Sequence, residues 1–168
     1  AVMINDISSF SVDPEMVHLV AAHKVAVVLM HMKGTPQTMQ HQPVSGCPMA
    51  EIYAFLKERI DYAESAGIDP QQIIIDPGIG FGKSVPDGNL SIIKNLATLR
   101  QLGKPILVGL SRKAFIGHVL DLGVEDREEG TAAAIALAIN NGAHIVRVHD
   151  VKKMKRVVTM VDAICAMN

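Results

Sequence analysis

The sequence predicts an α/β protein framed by a parallel sheet. Three observations lead there. Short apolar runs rich in Ile, Val and Leu alternate five times with stretches of helical spacing. The runs are continuous rather than alternately apolar and polar, which suits strands covered on both faces. Each run also ends in polar residues, at the position where parallel α/β folds bind their ligands.

The first run, "VMIN", precedes a helix in "DPEMVHLVAAHK". The second, "VAVVLMHM", leads through the long loop at 33–48 into the helix "MAEIYAFLKERIDYAESAG". There Ile52, Phe55, Leu56, Ile60 and Ala63 keep helical spacing and Gly67 is a stop signal. A loop that long without its own periodicity tends to be functional. The third run, "IIID", is followed by a Gly/Pro turn and one helix over 87–103. The fourth, "PILVGLS", precedes a short helix at "KAFIGHVL" and a longer one at "EEGTAAAIALAINNG". The fifth, "HIVRVHD", precedes the closing helix "KKMKRVVTMVDAICAM". No repeat or linker divides the chain, so residues 1–168 read as one domain.

The 168 residues suffice for a substantial core, and 49% of them are hydrophobic. Mean hydropathy is +0.26. A net charge of −1, from 16 basic and 17 acidic residues, excludes a general attraction to nucleic acid or anionic membrane. The longest apolar run, Ala132 to Ile139, is far below the roughly 18 residues of a membrane span. The first residues carry no basic, signal-like region and read like the middle of a domain. Cys47 and Cys165 lack metal or redox spacing. With nine methionines they point to a reducing compartment, and a cytoplasmic location is expected.

The stretch "IIIDPGIGFGKS" invites two readings that fail. A P-loop would need glycine at position 77, which is Pro77, and the glycines at 78, 80 and 82 do not have dinucleotide-fingerprint spacing. What remains is a carboxylate, Asp76, at a strand end, before a turn whose glycines let backbone approach a flat ligand. An Asp before Pro is ordinarily a turn former. At a pocket floor the same carboxylate would accept two hydrogen bonds from an amide N–H beside an amino group. Ser111, Arg112 and Lys113 follow the fourth run directly. The plain reading makes Ser111 a helix N-cap. Two cations there oppose the helix dipole, which favours a ligand role. Met30, His31 and Met32 close the second run. Methionine as core filler is the ordinary reading there, and His31 is assigned no chemistry.

Arg147 and His149 form the best candidate anion site. They stand two apart, on one face of a strand, and arginine offers a planar fork of donors suited to phosphate. The alternative is a buried pair with Asp150 or Glu125, of which Asp150 would point to the opposite strand face.

Taken together, "INDISS", "MHMKGTPQTMQ", "IIIDPGIGFGKS", "VGLSRKAFIG" and "IVRVHDV" resemble the dihydropteroate synthases in order and context, over residues 2 to about 165. The resemblance implies a (β/α)8 TIM barrel, of which this chain would hold about five C-terminal βα units. It implies condensation of 6-hydroxymethyl-7,8-dihydropterin pyrophosphate with p-aminobenzoate. It makes Asn5 and Asp76 pterin-binding groups, Lys113 a contact to the pterin ring, and Met30, Phe81 and Gly109 pocket walls. Ser111 and Arg112 fall where the family places p-aminobenzoate, and Arg147 and His149 where it places pyrophosphate. Lys113, Arg147 and His149 are the catalytic candidates. Mg2+ is the implied cofactor, with its ligand expected in a missing N-terminal part, and the complete enzyme is expected to be a homodimer.

The departure from the family is length, since a full barrel takes about 250 residues. The chain alone is therefore expected to be inactive. Two other readings stand beside this one. A methyltetrahydrofolate-dependent corrinoid methyltransferase would share the barrel and the pterin grip but would need no pyrophosphate pocket. A non-catalytic pterin-binding fragment would suit the length.

Overall fold

A computed structural model describes residues 1–34, 47–85 and 87–167. Most of the expected long loop lies outside them. The elements run β1 (Met3–Asp6), α1 (Glu15–His23), β2 (Ala26–Met30), α2 (Met49–Ser65), β3 (Ile73–Asp76), α3 (Asp87–Lys94), β4 (Leu107–Gly109), α4 (Ala114–Leu120), α5 (Glu128–Asn140), β5 (Ile145–Arg147) and α6 (Val151–Cys165). Strands β1, β2 and β3 pair in parallel in sequence order, as do β4 and β5. The two pieces meet at a parallel bridge between Ile75 and Ile106.

The side-chain period of two sorts the strands into two faces. Val27, Leu29, Ile73, Ile75, Ile106 and Val108 pack with residues from every helix, including Val20, Ile52, Leu56, Ile92, Phe115, Ile135 and Met154. The other face holds a small cluster made only of strand residues: Val28, Ile74 and Leu107, with Ile145 against them. The expectation of a sheet covered on both faces therefore needs refining. Helices cover one face, and the other closes on the strands' own side chains. That is the arrangement of a (β/α) barrel, and the chain is a partial one. Among the described residues no helix is long and apolar enough to cross a membrane.

Helix α2 forms as its spacing predicts. Ile52, Leu56, Ile60 and Ala63 are buried along one stripe, and Gly67 follows at φ +92°. The helix after β3 and the last strand are shorter than their patterns. The helix expected over 87–103 stops at Lys94 and continues as a 3-10 helix, Leu96–Leu102. At the break the Asn95 side chain donates to the Ser91 carbonyl at 2.9 Å, competing with regular helix bonding. Strand β5 ends at Arg147, not at 150. The His149 N–H turns to Ser111 Oγ at 3.4 Å, and the Asp150 carboxylate caps α6 by accepting from the Lys153 N–H at 3.0 Å.

Candidate functional site

Register brings the candidate residues to one rim. Asn5 pairs with Val28, Met30 with Asp76, and Gly109 with Arg147. Each lies two residues beyond a member of the strand-only face or level with one. Asn5, Met30, Asp76, Gly109 and Arg147 therefore project to the barrel interior from the carboxyl end of five successive strands.

Asp76 is the hub, only 2% exposed. Its Oδ1 accepts the Gly78 N–H at 2.7 Å. Burial pushes its carboxyl above the usual range, while that hydrogen bond and the cations Arg147, Lys83 and Lys113 pull it back. Lys113 is held below its ordinary value, chiefly by burial. Its ammonium lies 4.4 Å from the centroid of the Phe81 ring, and its stem runs beside Gly80. The Arg147 guanidinium lies over Gly109, where an added Cβ would come within 2.9 Å of Nη2.

Gly109, Ser111, Arg112, Lys113, Arg147 and His149, together with Ala114, Val124 and Val148, line a cavity of about 550 Å3. The Ser111 hydroxyl does not cap α4, whose N-cap position is Lys113. It meets His149 Nδ1 at 2.9 Å instead. His149 thus stands beyond the strand and not on it, but it faces the same cavity as Arg147. Neither acid considered as their partner takes that place. Glu125 pairs with Arg112 at 3.3 Å, and Asp150 caps α6. Arg147 makes no ion pair among the described residues.

Arg112 adopts a left-handed backbone, φ +55°, which costs a non-glycine residue about 1 kcal/mol. Helix α5 and the residue that precedes it hold it there: the Arg112 N–H donates to Thr131 Oγ1 and its carbonyl accepts from Arg127 Nη1, both at 3.1 Å. Asn5, Met30, Asp76 and Phe81 do not line the 550 Å3 cavity. Asn5 is exposed on the edge strand, and Met30 is fully buried beside a second hollow with Ile7, Met32 and Phe55. The turn glycines also serve another purpose than expected. Gly78 and Gly82 approach the chain's own backbone at His31 and Lys33, not open space.

The chain matches the model of the pterin binding enzymes over residues 1–149. It belongs to that family. Among its relatives, the dihydropteroate synthase of Synechocystis sp. is 44% identical over 163 residues, covering 96% of this chain and 56% of the relative. That of Bacillus subtilis is 43% identical, covering 97% and 54%. The chain thus spans little more than half the length of these pterin binding enzymes. Among solved structures, the Yersinia pestis dihydropteroate synthase in a sulfonamide drug complex superimposes with a TM-score of 0.94 at 36% identity, covering 99% of this chain and 60% of that one. The Xanthomonas albilineans enzyme with 7,8-dihydropteroate gives 0.88 at 41%, covering 99% and 58%.

Sequence patterns do not reveal the residues that brace this rim. Lys83 donates to the carbonyls of His31 and Gly78, each at 2.8 Å. Asn89 of α3 accepts the Gly80 N–H at 2.7 Å and donates to the Ser84 carbonyl at 2.7 Å. Their partners are backbone atoms, which leave no mark in a sequence, and Thr131 and Arg127 act on a turn distant in the chain.

His31 is buried edge-on against Phe55, with Nδ1 lacking a hydrogen-bond partner among the described residues. Burial above all, then Lys83, lowers its pKa to about 4. Between pH 6.5 and 4 the unfolded chain takes up a proton that the folded chain refuses, so stability falls as pH drops through that window. The loss should approach about 3 kcal/mol. Denaturation curves from pH 7 to 4 should show a shallower decline in His31→Leu. Equal declines in both proteins would refute the assignment.

Proposed function

We propose that this chain is part of a dihydropteroate synthase, joining p-aminobenzoate to 6-hydroxymethyl-7,8-dihydropterin pyrophosphate and releasing pyrophosphate. The support is one arrangement: a buried carboxylate ringed by Lys83, Lys113 and Arg147 at the carboxyl ends of parallel strands. In this reading Asp76 accepts two hydrogen bonds from the amide and amino edge of the pterin. Asn5 adds an amide, while Met30, Phe81 and Gly109 bound the ring and Lys113 contacts it. Arg147 and His149 hold the diphosphate, and Ser111 and Arg112 the p-aminobenzoate. Breaking the pterin methylene C–O bond sends the electron pair to the diphosphate and leaves positive charge on the pterin. Donors aimed at the leaving group stabilise that charge separation. The amine lone pair then forms the C–N bond and its proton is released. No covalent nucleophile is needed, because orientation supplies much of the acceleration.

Because the chain spans 56% of the Synechocystis relative, turnover is proposed for the complete enzyme and not for these 168 residues alone. Homodimerisation and a cytoplasmic location belong to the same proposal. So does Mg2+, but no three His, Cys, Asp or Glu among the described residues stand together as a metal site. No step here runs through the ion. A corrinoid methyltransferase would leave the Arg147–His149 end of the cavity without a task.

The test is Asp76→Asn in the complete enzyme. The amide accepts at one oxygen only and sets N–H against N–H at the other position. Calorimetry with 6-hydroxymethylpterin should show a loss of about 1–3 kcal/mol, more if the buried partner is charged. Unchanged affinity would remove Asp76 from the site and this reading with it.

A further inference from the structure

Lys83 is 2% exposed and takes no part in the steps above. Burying an ammonium is costly unless its surroundings compensate, and an apolar side chain would fill the same volume without that cost. The charge therefore calls for a reason, and the hydrogen bonds supply one. Lys83 Nζ donates to the carbonyls of His31 and Gly78. These two residues are the ones that hold Asp76. The His31 N–H bonds to the Asp76 carbonyl at 3.0 Å, and the Gly78 N–H bonds to the Asp76 carboxylate at 2.7 Å. Lys83 thus closes a ring around Asp76 that joins the end of β2 to the turn after β3.

We propose that Lys83 is the positioning residue of Asp76, fixing the carboxylate between β2 and the following turn and balancing its charge from behind. Lys83 does not line the 550 Å3 cavity, whereas Lys113 and Arg147 do. It acts through Asp76 and not on a ligand. The groups facing it are Asp76 from β3, Glu51 from α2, Lys113 after β4, and His31 at the end of β2. Burial dominates and brings its pKa to about 7, against the upward pull of Asp76 and Glu51. Asp76 is pushed up by burial and pulled back in part by Lys83. Losing this cation moves the Asp76 titration to higher pH, so the acid limb of any Asp76-dependent binding moves with it.

The proposal rests on the pterin reading only for its functional readout, and the test separates the two. In the unmutated protein, carbon-detected NMR of the Asp76 carboxyl should show a second step near pH 7, as Lys83 loses its proton. In Lys83→Met, the carboxyl's own titration should rise by about one pH unit. Affinity of the complete enzyme for 6-hydroxymethylpterin should fall about tenfold on the acid limb and recover most of that loss at pH 9. If Asp76 shows no step near pH 7, or if the variant loses affinity equally at all pH values with an unmoved Asp76 titration, Lys83 is a structural brace only and the proposal fails. If the NMR steps appear but the unmutated enzyme binds no pterin, the pairing stands and the pterin reading falls.

Discussion

Gly78→Ala is expected to destabilise the fold by about 2–5 kcal/mol, combining a left-handed backbone penalty with a forced displacement. Gly78 sits at φ +67°, and a Cβ there would lie 1.8 Å from the His31 carbonyl oxygen. The obstacle is backbone, pinned by its bond to Lys83, so no rotamer change relieves it. Gly103 is the control. Its φ is +65° and nothing lies within 4 Å of its added Cβ. Gly103→Ala should therefore cost only the backbone penalty, about 1 kcal/mol. Chemical denaturation of both variants separates the two contributions. Equal losses would mean that the turn can retreat from β2, and the close approach would lose its structural importance.

The second large effect is expected at Arg147. Arg147→Ala in the complete enzyme should weaken binding of the pterin pyrophosphate ester by about 1.5–3 kcal/mol, as for hydrogen bonds to a charged group. Binding of the bare pterin should change far less. The comparison needs both ligands at each pH, because removing Arg147 also removes a cation that pulls the Asp76 carboxyl down. A change in the Asp76 titration weakens both ligands alike, so the difference between ester and bare pterin isolates the leaving-group contact. Arg147→Lys should recover part of the loss, since a point charge replaces a fork. Equal weakening of both ligands in calorimetry would make Arg147 a rim buttress and not a diphosphate contact.

The parts of this molecule written in side-chain patterns were readable in advance. Continuous runs such as "IIID" gave parallel strands because burial on both faces selects Ile and Val at every position. The spacing of Ile52, Leu56, Ile60 and Ala63 gave α2 for the same reason. Arg147 stood out because a charge on a strand has to face something open. The misreadings arise where backbone atoms do the bonding. Strand β5 ends early because Ser111 takes the His149 N–H and Asp150 turns to cap α6, and the helix after Asp87 breaks at Asn95 through a side chain to carbonyl bond. The glycines of "DPGIGFGKS" could be recognised as sites of close approach, but which surface they approach depends on where β2 ends. Lys83 resembled a failed phosphate motif because its partners are two carbonyls far apart in sequence.

The join between β3 and β4 carries a consequence for the site. Across it run the Ile75–Ile106 bridge and the bond from the Ile75 N–H to the Pro105 carbonyl, and Pro105 has no N–H to return. The sheet is thus two leaves with a sparsely stitched seam, and local opening favours such places. Asp76 and Lys83 ride on one leaf, while Lys113 and Arg147 ride on the other. Were the leaves to part, the carboxylate would leave two of its cations and keep the third. A molecule reaching from Asp76 to Arg147 would act as a staple across the seam, and its binding energy would oppose any parting of the leaves.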